Sequence, residues 1–567
     1  MKKLLVKYLI LIIITFAISI CIYDYVESFK PVSTEGDILA IQKQAEEGYF
    51  ANTDYTIDNP NVILNPYGNS PLSAIIVFQT NDLTTATVTI KGKDGASDIV
   101  HTFTPSKVHI LPIYGLYAGY ENKVIIEVSG KSKEVIIKTD DLPSNFAKAE
   151  DVKSSDTSEF YFTTPEDTGY TAAYDCNGEV RWYIVGDYKW DIQRLSNGHI
   201  LMSSDKMILD NYSVGLMEMD LLGKVYFEYV IPGGYHHNVF ELNNGNLLTI
   251  SNNLDGDTIE DYIVEIDRNT GNIIKKIDLS SILENNKKGN WFKATSLVYD
   301  VNTNSITISG YNSDMIVNID YSSLNINWVI GEKIPDNLKD YSLKADGDVH
   351  YPSKPLSINL LSDNQFIFVN YSDGKRRLDT YKVDYSNRTF KEVSDYELSS
   401  NSDAYLEIHG NDKWIITQGN NIKEIENEEV VQSFTINSSL YNTKKMPLYA
   451  NDIYTGVLGV RLGFLGQSKP LKNYPVFSTK KDESIIKKYK INLYKDVYGL
   501  RVSGDFSKKD KVDIILENVL DKKTYGLNTD NGYSYRYINE DGIKGKYYIY
   551  LKINGTVYKL DKCVTFY

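Results

Sequence analysis

The chain has 567 residues and a formal net charge of −15 at pH 7. At a typical domain size of about 150 residues, this length predicts three or four structural units. The negative charge opposes binding to nucleic acid and to anionic lipid head groups. The sequence has no P-loop, no dinucleotide fingerprint and no cysteine–histidine metal spacing, so it implies no cofactor and no metal.

Residues 1–29 have the pattern of an export segment. Three lysines precede the apolar run Tyr8–Tyr23, and this order of basic and then apolar residues is read by the export machinery. The run lies between the length of a signal core and the ~20 residues that span a bilayer. We therefore expect an extracytoplasmic protein, either tethered to the membrane by an uncleaved anchor or secreted after cleavage. Lipidation of Cys21 is a further alternative.

The next region, 30–142, has the pattern of a small β-sandwich. A short helix is expected between Thr34 and Glu47, where a Thr-x-x-Asp capping pattern precedes good helix formers. From Tyr55 to Thr139, alternating apolar runs are separated by Gly, Asn and Asp turns. The polar stretch 143–160 shows no sustained periodicity and is predicted to be a linker.

A repeated unit of β-strands follows in residues 161–482. Tight-turn signals that lead into apolar strands recur at Arg194–His199, Glu241–Asn246, Tyr299–Asn304 and Leu361–Gln365. A repeat of about 45 to 60 residues in a chain rich in strand-forming residues predicts a β-propeller; a run of unrelated hairpins is the alternative. In residues 483–567 the repeat stops, and alternating runs predict a small C-terminal β-sandwich. The predicted fold class is therefore all-β.

Several long, ordered stretches of this sequence match one protein family. They are Asn59–Ala74, Ile113–Asn122, Gly178–Tyr183, Trp190–Asp191, Gly198–His199, Glu218–Asp220 and Ile231–His237. In these stretches the chain resembles bacterial aryl-sulfate sulfotransferases. The resemblance implies an N-terminal β-sandwich followed by a six-bladed propeller with an active site in its central funnel. It also implies small-molecule partners, because this family moves a sulfuryl group from a phenolic ester to another phenol without a nucleotide donor.

Adjacent histidines, His236 and His237, match the first histidine of the family. Sulfuryl transfer needs cationic or hydrogen-bonding groups around the non-bridging oxygens, and imidazole can both take the group and release it. Because neighbouring side chains alternate across a strand, His236 is expected to face the funnel. Alternatively, the pair caps a blade through side-chain hydrogen bonds.

Other family positions are substituted in this chain. In the stretch Asn290–Ser296, Lys293 stands where the resemblance implies a histidine, and in Ser309–Ser313, Tyr311 stands where it implies an arginine. Near the implied nucleophile the chain has Lys354, while His350 lies four residues earlier. Lysine is protonated near neutral pH unless buried, and an alkyl sulfamate would hold the sulfuryl group. Lysine can still bind an oxyanion.

The candidate residues fall into two groups. The candidate catalytic residues are His236, His237 and His350. The candidate substrate-binding residues are Lys293, Tyr311, Lys354, Arg376 and Arg377. The resemblance implies that Arg376 and Arg377 lie near a Ser-Arg motif of the family. Alternatively, these two arginines are solvated charges of a hairpin.

Three functions are compatible with these residues. The first is a secreted or membrane-tethered sulfotransferase that uses its remaining histidines. The second is a non-catalytic propeller that binds a sulfated, phenolic or otherwise anionic ligand. The third is a structural module of the cell surface whose sandwich domains contact other proteins.

Overall fold

The computed structural model describes most of residues 30–566. The described ranges are 30–31, 38–49, 55–155, 158–166, 168–205, 207–209, 212–253, 257–269, 271, 273–284, 286–361, 364–410, 413–450, 463–465, 471–472, 479–481, 484–496, 499–503, 510–528, 534–538 and 544–566. The predicted export segment lies outside them. Within them, no helix is both long and apolar enough to cross a bilayer.

Strands dominate the described chain, and the all-β prediction is confirmed. The helices are α1 (Ile38–Tyr49), α2 (Leu279–Ile282), α3 (Ser484–Lys488) and a 3₁₀ turn at Asp336–Tyr341. The start of α1 lies within the range predicted to be helical. Two compact units are present: one is Leu39–Gly466, and the other combines the described parts of 1–38 and 467–567. The second unit includes the first strand, β1 (Lys30–Pro31).

The first part of the larger unit is the predicted sandwich. One sheet has the order β2-β3-β6 and the other β5-β4-β7-β8, and both contribute to one apolar core. Burial alternates along β4, as expected for a strand with one face in the core. The strands are β2 (Asn61–Leu64), β3 (Ala74–Thr84), β4 (Ala86–Ile90), β5 (Ile99–Thr102), β6 (Ser106–Ile113), β7 (Glu121–Val128) and β8 (Lys131–Lys138).

In the described chain, six mainly antiparallel sheets follow the sandwich. Their strands, preceded by β9 (Ala149–Lys153), are β10 (Phe160–Pro165), β11 (Tyr170–Tyr174) and β12 (Val180–Val185) in the first sheet; β13 (Gln193–Arg194), β14 (Ile200–Ser203), β15 (Met207–Leu209), β16 (Tyr212–Met219) and β17 (Val225–Tyr235) in the second; β18 (Val239–Glu241), β19 (Leu247–Ser251), β20 (Tyr262–Ile266) and β21 (Ile273–Asp278) in the third; β22 (Ala294–Asp300), β23 (Ser305–Gly310), β24 (Met315–Asp320) and β25 (Ile326–Ile330) in the fourth; β26 (Lys344–Ala345), β27 (Leu356–Leu360), β28 (Gln365–Ser372), β29 (Lys375–Asp384) and β30 (Thr389–Glu397) in the fifth; and β31 (Ala404–Ile408), β32 (Lys413–Gln418), β33 (Asn421–Glu426) and β34 (Glu429–Ile436) in the sixth.

The next strand along the chain, β35 (Leu440–Met446), returns to the first sheet. It pairs with β10 and becomes the fourth strand of that sheet. The inner strands of neighbouring sheets pack against one another in the order β18, β22, β27, β31 and β35. Sheets that follow in chain order and are closed by a late strand are consistent with the predicted six-bladed propeller. We call the sheets blades 1 to 6.

The repeat predicted from turn signals corresponds to real hairpins. The four signals lie between the first and second long strands of blades 2 to 5. Separate apolar clusters fill the spaces between blades 2 and 3, 3 and 4, 4 and 5, and 5 and 6.

The stretch 143–160, which was predicted to be a linker, contains a strand. This strand, β9, pairs with β34 at the outer edge of blade 6.

The smaller unit contains two sheets that share a core. One has the order β1-β45-β44-β41-β42-β37, with β38 also paired to β45, and the other has the order β39-β40-β43. Apolar residues of both sheets meet in one cluster, as in a sandwich. After β36 (Gly463–Leu465), which pairs with β17, the strands are β37 (Leu471–Lys472), β38 (Thr479–Lys481), β39 (Asn492–Asp496), β40 (Gly499–Ser503), β41 (Val512–Asn518), β42 (Thr524–Asn528), β43 (Ser534–Ile538), β44 (Gly545–Ile553) and β45 (Thr556–Phe566).

Candidate functional site

Four residues occupy equivalent places in blades 2 to 5, each just before the inner strand of its blade. They are Trp190, His237, Lys293 and Lys354, and their φ angles are 64°, 63°, 53° and 44°. A left-handed backbone costs a residue other than glycine about 1 kcal/mol. Its recurrence at four equivalent places therefore marks a conserved geometry of the repeat, which presents one side chain from each blade at the same end of the inner strands.

Aromatic contacts join these places across blades. The Trp190 ring lies 4.4 Å from the His237 ring and 5.1 Å from the Tyr441 ring, centroid to centroid. Tyr441, on β35, in turn lies 4.2 Å from Tyr405 on β31. Near the ends of the inner strands, a continuous series of ring contacts therefore connects side chains of blades 1, 2, 3 and 6.

His237 is held by polar groups on two sides of its ring. Its Nε2 lies 3.8 Å from a Glu260 carboxylate oxygen. On the other side, the Tyr441 hydroxyl donates to the main-chain oxygen of His237 at 3.1 Å and lies 3.4 Å from Nδ1. In the tautomer that carries its proton on Nε2, beside the carboxylate, the Nδ1 lone pair is available.

Glu260 is the acidic centre of this group. Its carboxylate accepts hydrogen bonds from the Tyr212 hydroxyl at 3.0 Å and from the Asn290 amide at 2.7 Å. Burial alone would raise its pKa, but His237, His236 and Asn290 favour the charged form and lower the pKa to about 2. Glu260 is therefore a carboxylate throughout the neutral range.

His236 lies beside this group and is fully buried. Among the described residues, neither ring nitrogen makes a side-chain hydrogen bond, and the Tyr212 and His237 rings are at 5.3 Å and 5.1 Å. Burial, followed by the neighbouring imidazole of His237, lowers its pKa to about 3, against the attraction of Glu260. His236 is thus a neutral imidazole near pH 7. We call His236, His237, Glu260, Tyr212 and Asn290 the histidine cluster.

A second group, the cation–tyrosine cluster, contains Lys293, Tyr311, Arg376 and Asp403. The Lys293 ammonium lies 4.3 Å from the centre of the Tyr311 ring, a cation–π contact. The Tyr311 hydroxyl lies 3.4 Å from both carboxylate oxygens of Asp403. Arg376 pairs with Asp403 and donates to the main-chain oxygen of Lys354 at 2.9 Å.

Arg376 is buried in this second cluster, with 2% of its surface exposed. Its guanidinium lies 5.3 Å from the Tyr371 ring and 5.9 Å from the Tyr311 ring, and its Nε atom has no hydrogen-bond partner within the part of the chain that the structure describes. This buried environment differs from the alternative prediction, in which Arg376 is a solvated charge of a hairpin. The Lys354 side chain, by contrast, is exposed.

Arg377 and His350 belong to a different environment. Arg377 is also buried, and it pairs with Asp379 and Asp395. The His350 Nδ1 lies 2.9 Å from the Glu392 carboxylate. The structure thus separates the predicted residues into those near the ends of the inner strands and these two, which lie among carboxylates of blade 5.

Sequence reasoning identified His236, His237, Lys293 and Arg376 but missed their partners. Trp190 carries a usable signal, because Gly198 follows Trp190 at the spacing at which Gly245 follows His237. The left-handed φ angle that His237 shares with Lys293 and Lys354 makes His237, and not His236, their repeat equivalent. Glu260, Tyr441 and Asp403 carry no comparable signal, because each comes from a different part of its blade.

Two family models match the chain. The arylsulfotransferase (ASST) model matches residues 146–430, and the arylsulfotransferase Ig-like domain model matches residues 61–141. Arylsulfate sulfotransferase AssT of Lelliottia amnigena is 22% identical over 304 residues, which cover 39% of this chain and 49% of that protein. AssT of Escherichia coli O6:H1 is 22% identical over 294 residues, with the same coverage. The chain therefore spans about half the length of the curated relatives it matches.

Solved structures give weaker similarities. A putative 6-phosphogluconolactonase from Bacteroides uniformis matches with a TM-score of 0.33 and 11% identity over 64% of this chain and 100% of that chain. A periplasmic gluconolactonase from Pseudomonas aeruginosa matches with a TM-score of 0.28 and 9% identity over the same shares. Scores this low support no argument about function.

Proposed function

This chain belongs to the arylsulfotransferase family, and on that premise we propose that it transfers a sulfuryl group from an aryl sulfate to a phenol, with His237 as the residue that takes the group. The observation that carries the proposal is the position of His237. It stands at the repeat position that opens blade 3, with Glu260 beside Nε2 and Tyr441 near Nδ1. The proposed site is the end of the propeller centre where the inner strands begin.

The proposed reaction has two displacements. The Nδ1 lone pair attacks sulfur, the bond between sulfur and the ester oxygen breaks, and the phenolate leaves with that electron pair. A second phenol then attacks sulfur, the sulfur–nitrogen bond breaks, and the imidazole is restored. The proton that the acceptor loses balances the one that the released phenolate gains. Glu260 stabilises the positive charge on the sulfonated ring.

The cation–tyrosine cluster supplies groups for the non-bridging oxygens in this proposal. The Lys293 ammonium and the Arg376 guanidinium are suited to the charge on the sulfuryl oxygens, and the Tyr311 ring is suited to the aryl group. Asp403 offsets part of the positive charge of Arg376. Lys293 and Lys354 therefore bind and do not transfer, because a sulfamate formed on an alkyl amine is a poor donor.

Binding without turnover is the second candidate function. It is favoured by the lysines at two of the positions equivalent to His237, since these would retain an anionic or phenolic ligand without passing on its sulfuryl group. The proposed localisation is the same in both cases. The basic and apolar N-terminal segment supports an extracytoplasmic protein, secreted or tethered to a membrane.

The two functions are separated by incubating the protein with a chromogenic aryl sulfate and an excess of phenol. The transfer proposal predicts phenolate release that falls at least about a hundredfold in His237→Ala. The matched control is His409→Ala, which removes another histidine–carboxylate pair, with Glu159 at 3.2 Å, and should keep the activity. No release, together with a higher melting temperature when aryl sulfate is added, would instead support binding alone. A protein that shows neither phenolate release nor a higher melting temperature would contradict both functions.

A further inference from the structure

An acidic cavity lies among blades 4 and 5 and contains His350, which the proposed transfer does not use. Its volume is about 820 Å³. The carboxylates that line it, with Lys333 as a lining cation, are Asp314, Glu332, Asp348, Asp373, Glu392 and Asp395. Such a lining repels a sulfate ester and attracts a cation.

Three side chains of this region converge with the spacing of metal ligands. Ligand atoms of His350, Asp379 and Glu392 all lie within 4.8 Å of one another. The His350 Nδ1 is 2.9 Å from Glu392, and its Nε2 is 3.5 Å from Asp373. This mutual spacing is compatible with one imidazole nitrogen and two carboxylate oxygens around a single first-row metal ion, whose ligands lie at ~2.0–2.2 Å.

Neighbouring groups orient the most buried of these ligands. Asp379 has no exposed surface, and its two oxygens accept hydrogen bonds from the Asn370 amide at 2.7 Å and from the Arg377 Nε at 3.1 Å. Hydrogen bonds of this kind fix the direction of a metal-binding carboxylate.

The charge around these ligands also favours a cation. Asp373, Asp379, Glu392 and Asp395 carry four negative charges when ionised, and Arg377 offsets one of them through its contacts with Asp379 and Asp395. One guanidinium cannot neutralise four neighbouring carboxylates. A bound divalent ion would reduce the remaining repulsion between them.

From this geometry and charge we infer that His350, Asp379 and Glu392 form a binding site for a divalent first-row metal ion, such as Zn²⁺ or Mn²⁺, at the wall of the acidic cavity. The imidazole decides the class of ion, because Ca²⁺ and Mg²⁺ prefer sites made of oxygen ligands alone. Water from the cavity would complete the coordination of the ion, because the carboxylates that line the cavity repel an anionic ligand.

The test is titration of the full chain, first treated with a chelator, with Zn²⁺, Mn²⁺ and Ca²⁺ in separate calorimetric experiments. We expect saturable binding of one Zn²⁺ or Mn²⁺ per chain, a higher melting temperature with the ion present, and an affinity at least about tenfold lower in both His350→Ala and Glu392→Gln. The control His409→Ala should bind like the original protein.

Two results would overturn the inference. The first is the absence of saturable binding of Zn²⁺ and Mn²⁺ to the folded chain. The second is metal binding whose affinity is unchanged in His350→Ala. Binding of Ca²⁺ by the carboxylates alone would be one such result. The melting temperatures of the metal-free variants show whether each is folded, and Glu392→Gln, which keeps the size of the side chain, decides the question if His350→Ala does not fold. The readout is independent of transferase activity.

Discussion

At the scale of single residues, the central feature is the pairing of two imidazoles with one carboxylate. His236 and His237 are adjacent, yet they have different environments. His236 is a neutral, fully buried ring that makes no side-chain hydrogen bond to any described residue, whereas His237 lies between Glu260 and Tyr441. The two imidazoles are therefore not equivalent, and the position of His237 in the repeat supports the proposal that His237 takes the sulfuryl group.

Replacing Glu260 by glutamine tests the role of the carboxylate. The variant keeps the shape but loses the charge that stabilises a sulfonated His237, so we expect aryl sulfate turnover to fall about a hundredfold. Because the pKa of Glu260 is about 2, the group stays ionised from pH 5 to 8. The activity of the original protein should therefore show no step from Glu260 in that range, and a loss of activity centred near pH 4.5 that Glu260→Gln removes would contradict this assignment.

The same pKa shift has a consequence for stability. A carboxyl pKa that is lower in the folded chain contributes stability that is present above the unfolded value, near 4.3, and is lost as the pH falls toward 2. Glu218, whose pKa is also lowered to about 2 by His199 and Arg268 against the effect of burial, contributes in the same window.

The alternation rule could not choose between the two histidines, for a physical reason. Strand β17 ends at Tyr235 and β18 begins at Val239, so neither histidine lies in a strand. The left-handed backbone of His237 further breaks the alternation of side chains. The residue types were thus available from the sequence, but the direction of each ring was not.

At the scale of elements, blades 2 and 3 are joined by a buried ion network at their hairpin turns. Glu218, on β16, has no exposed surface. It is contacted by Arg268, in the turn after β20, at 2.8 Å, and by the His199 Nδ1 at 2.6 Å. Arg268 also reaches Glu241 at the end of β18 at 2.8 Å. Three hairpins are therefore linked through one guanidinium.

Replacing Arg268 by methionine should destabilise the larger unit by about 3 kcal/mol, because it leaves the Glu218 charge buried with weaker compensation. The measurement is denaturant unfolding followed by a signal from the Leu39–Gly466 unit. Lys339→Met is the control, since the exposed Lys339–Asp336 pair should change stability by less than about 1 kcal/mol. Equal effects of the two variants would show that the network does not stabilise the blades.

The sequence predicted these hairpins but not their connections. Turn residues and apolar alternation are local signals, so the four hairpins were found at the predicted places. The pairing of β35 with β10 joins residues far apart in the chain. The repeat predicted a propeller and the family resemblance implied six blades, but neither showed which strands close the ring. The pairing of β9 with β34 was missed because its strand is short and polar.

At the scale of the whole molecule, the chain has two compact units with separate cores. The proposed site lies wholly in the larger unit. Leu551, on β44, is fully buried in the core of the smaller unit. The function of one unit and the stability of the other should therefore respond to different substitutions.

Leu551→Ala is expected to destabilise the smaller unit by about 2–5 kcal/mol, because it removes buried methyl groups and leaves a cavity. Calorimetry should show a lower melting transition for that unit, with the transition of the larger unit and the turnover of aryl sulfate unchanged. The exposed residue Leu520 is the control, and Leu520→Ala should alter neither transition. A matching loss of turnover in Leu551→Ala would indicate that the two units act together.

The most direct test of the account is mass spectrometry of the protein after it has been mixed with an aryl sulfate in the absence of an acceptor phenol. We predict the mass of one sulfuryl group on the peptide that contains His237, its disappearance when a phenol is added, and its absence from His237→Ala. A protein that turns over aryl sulfate while His237 stays unmodified, or that carries a lasting sulfuryl group on Lys293 or Lys354, would contradict the account.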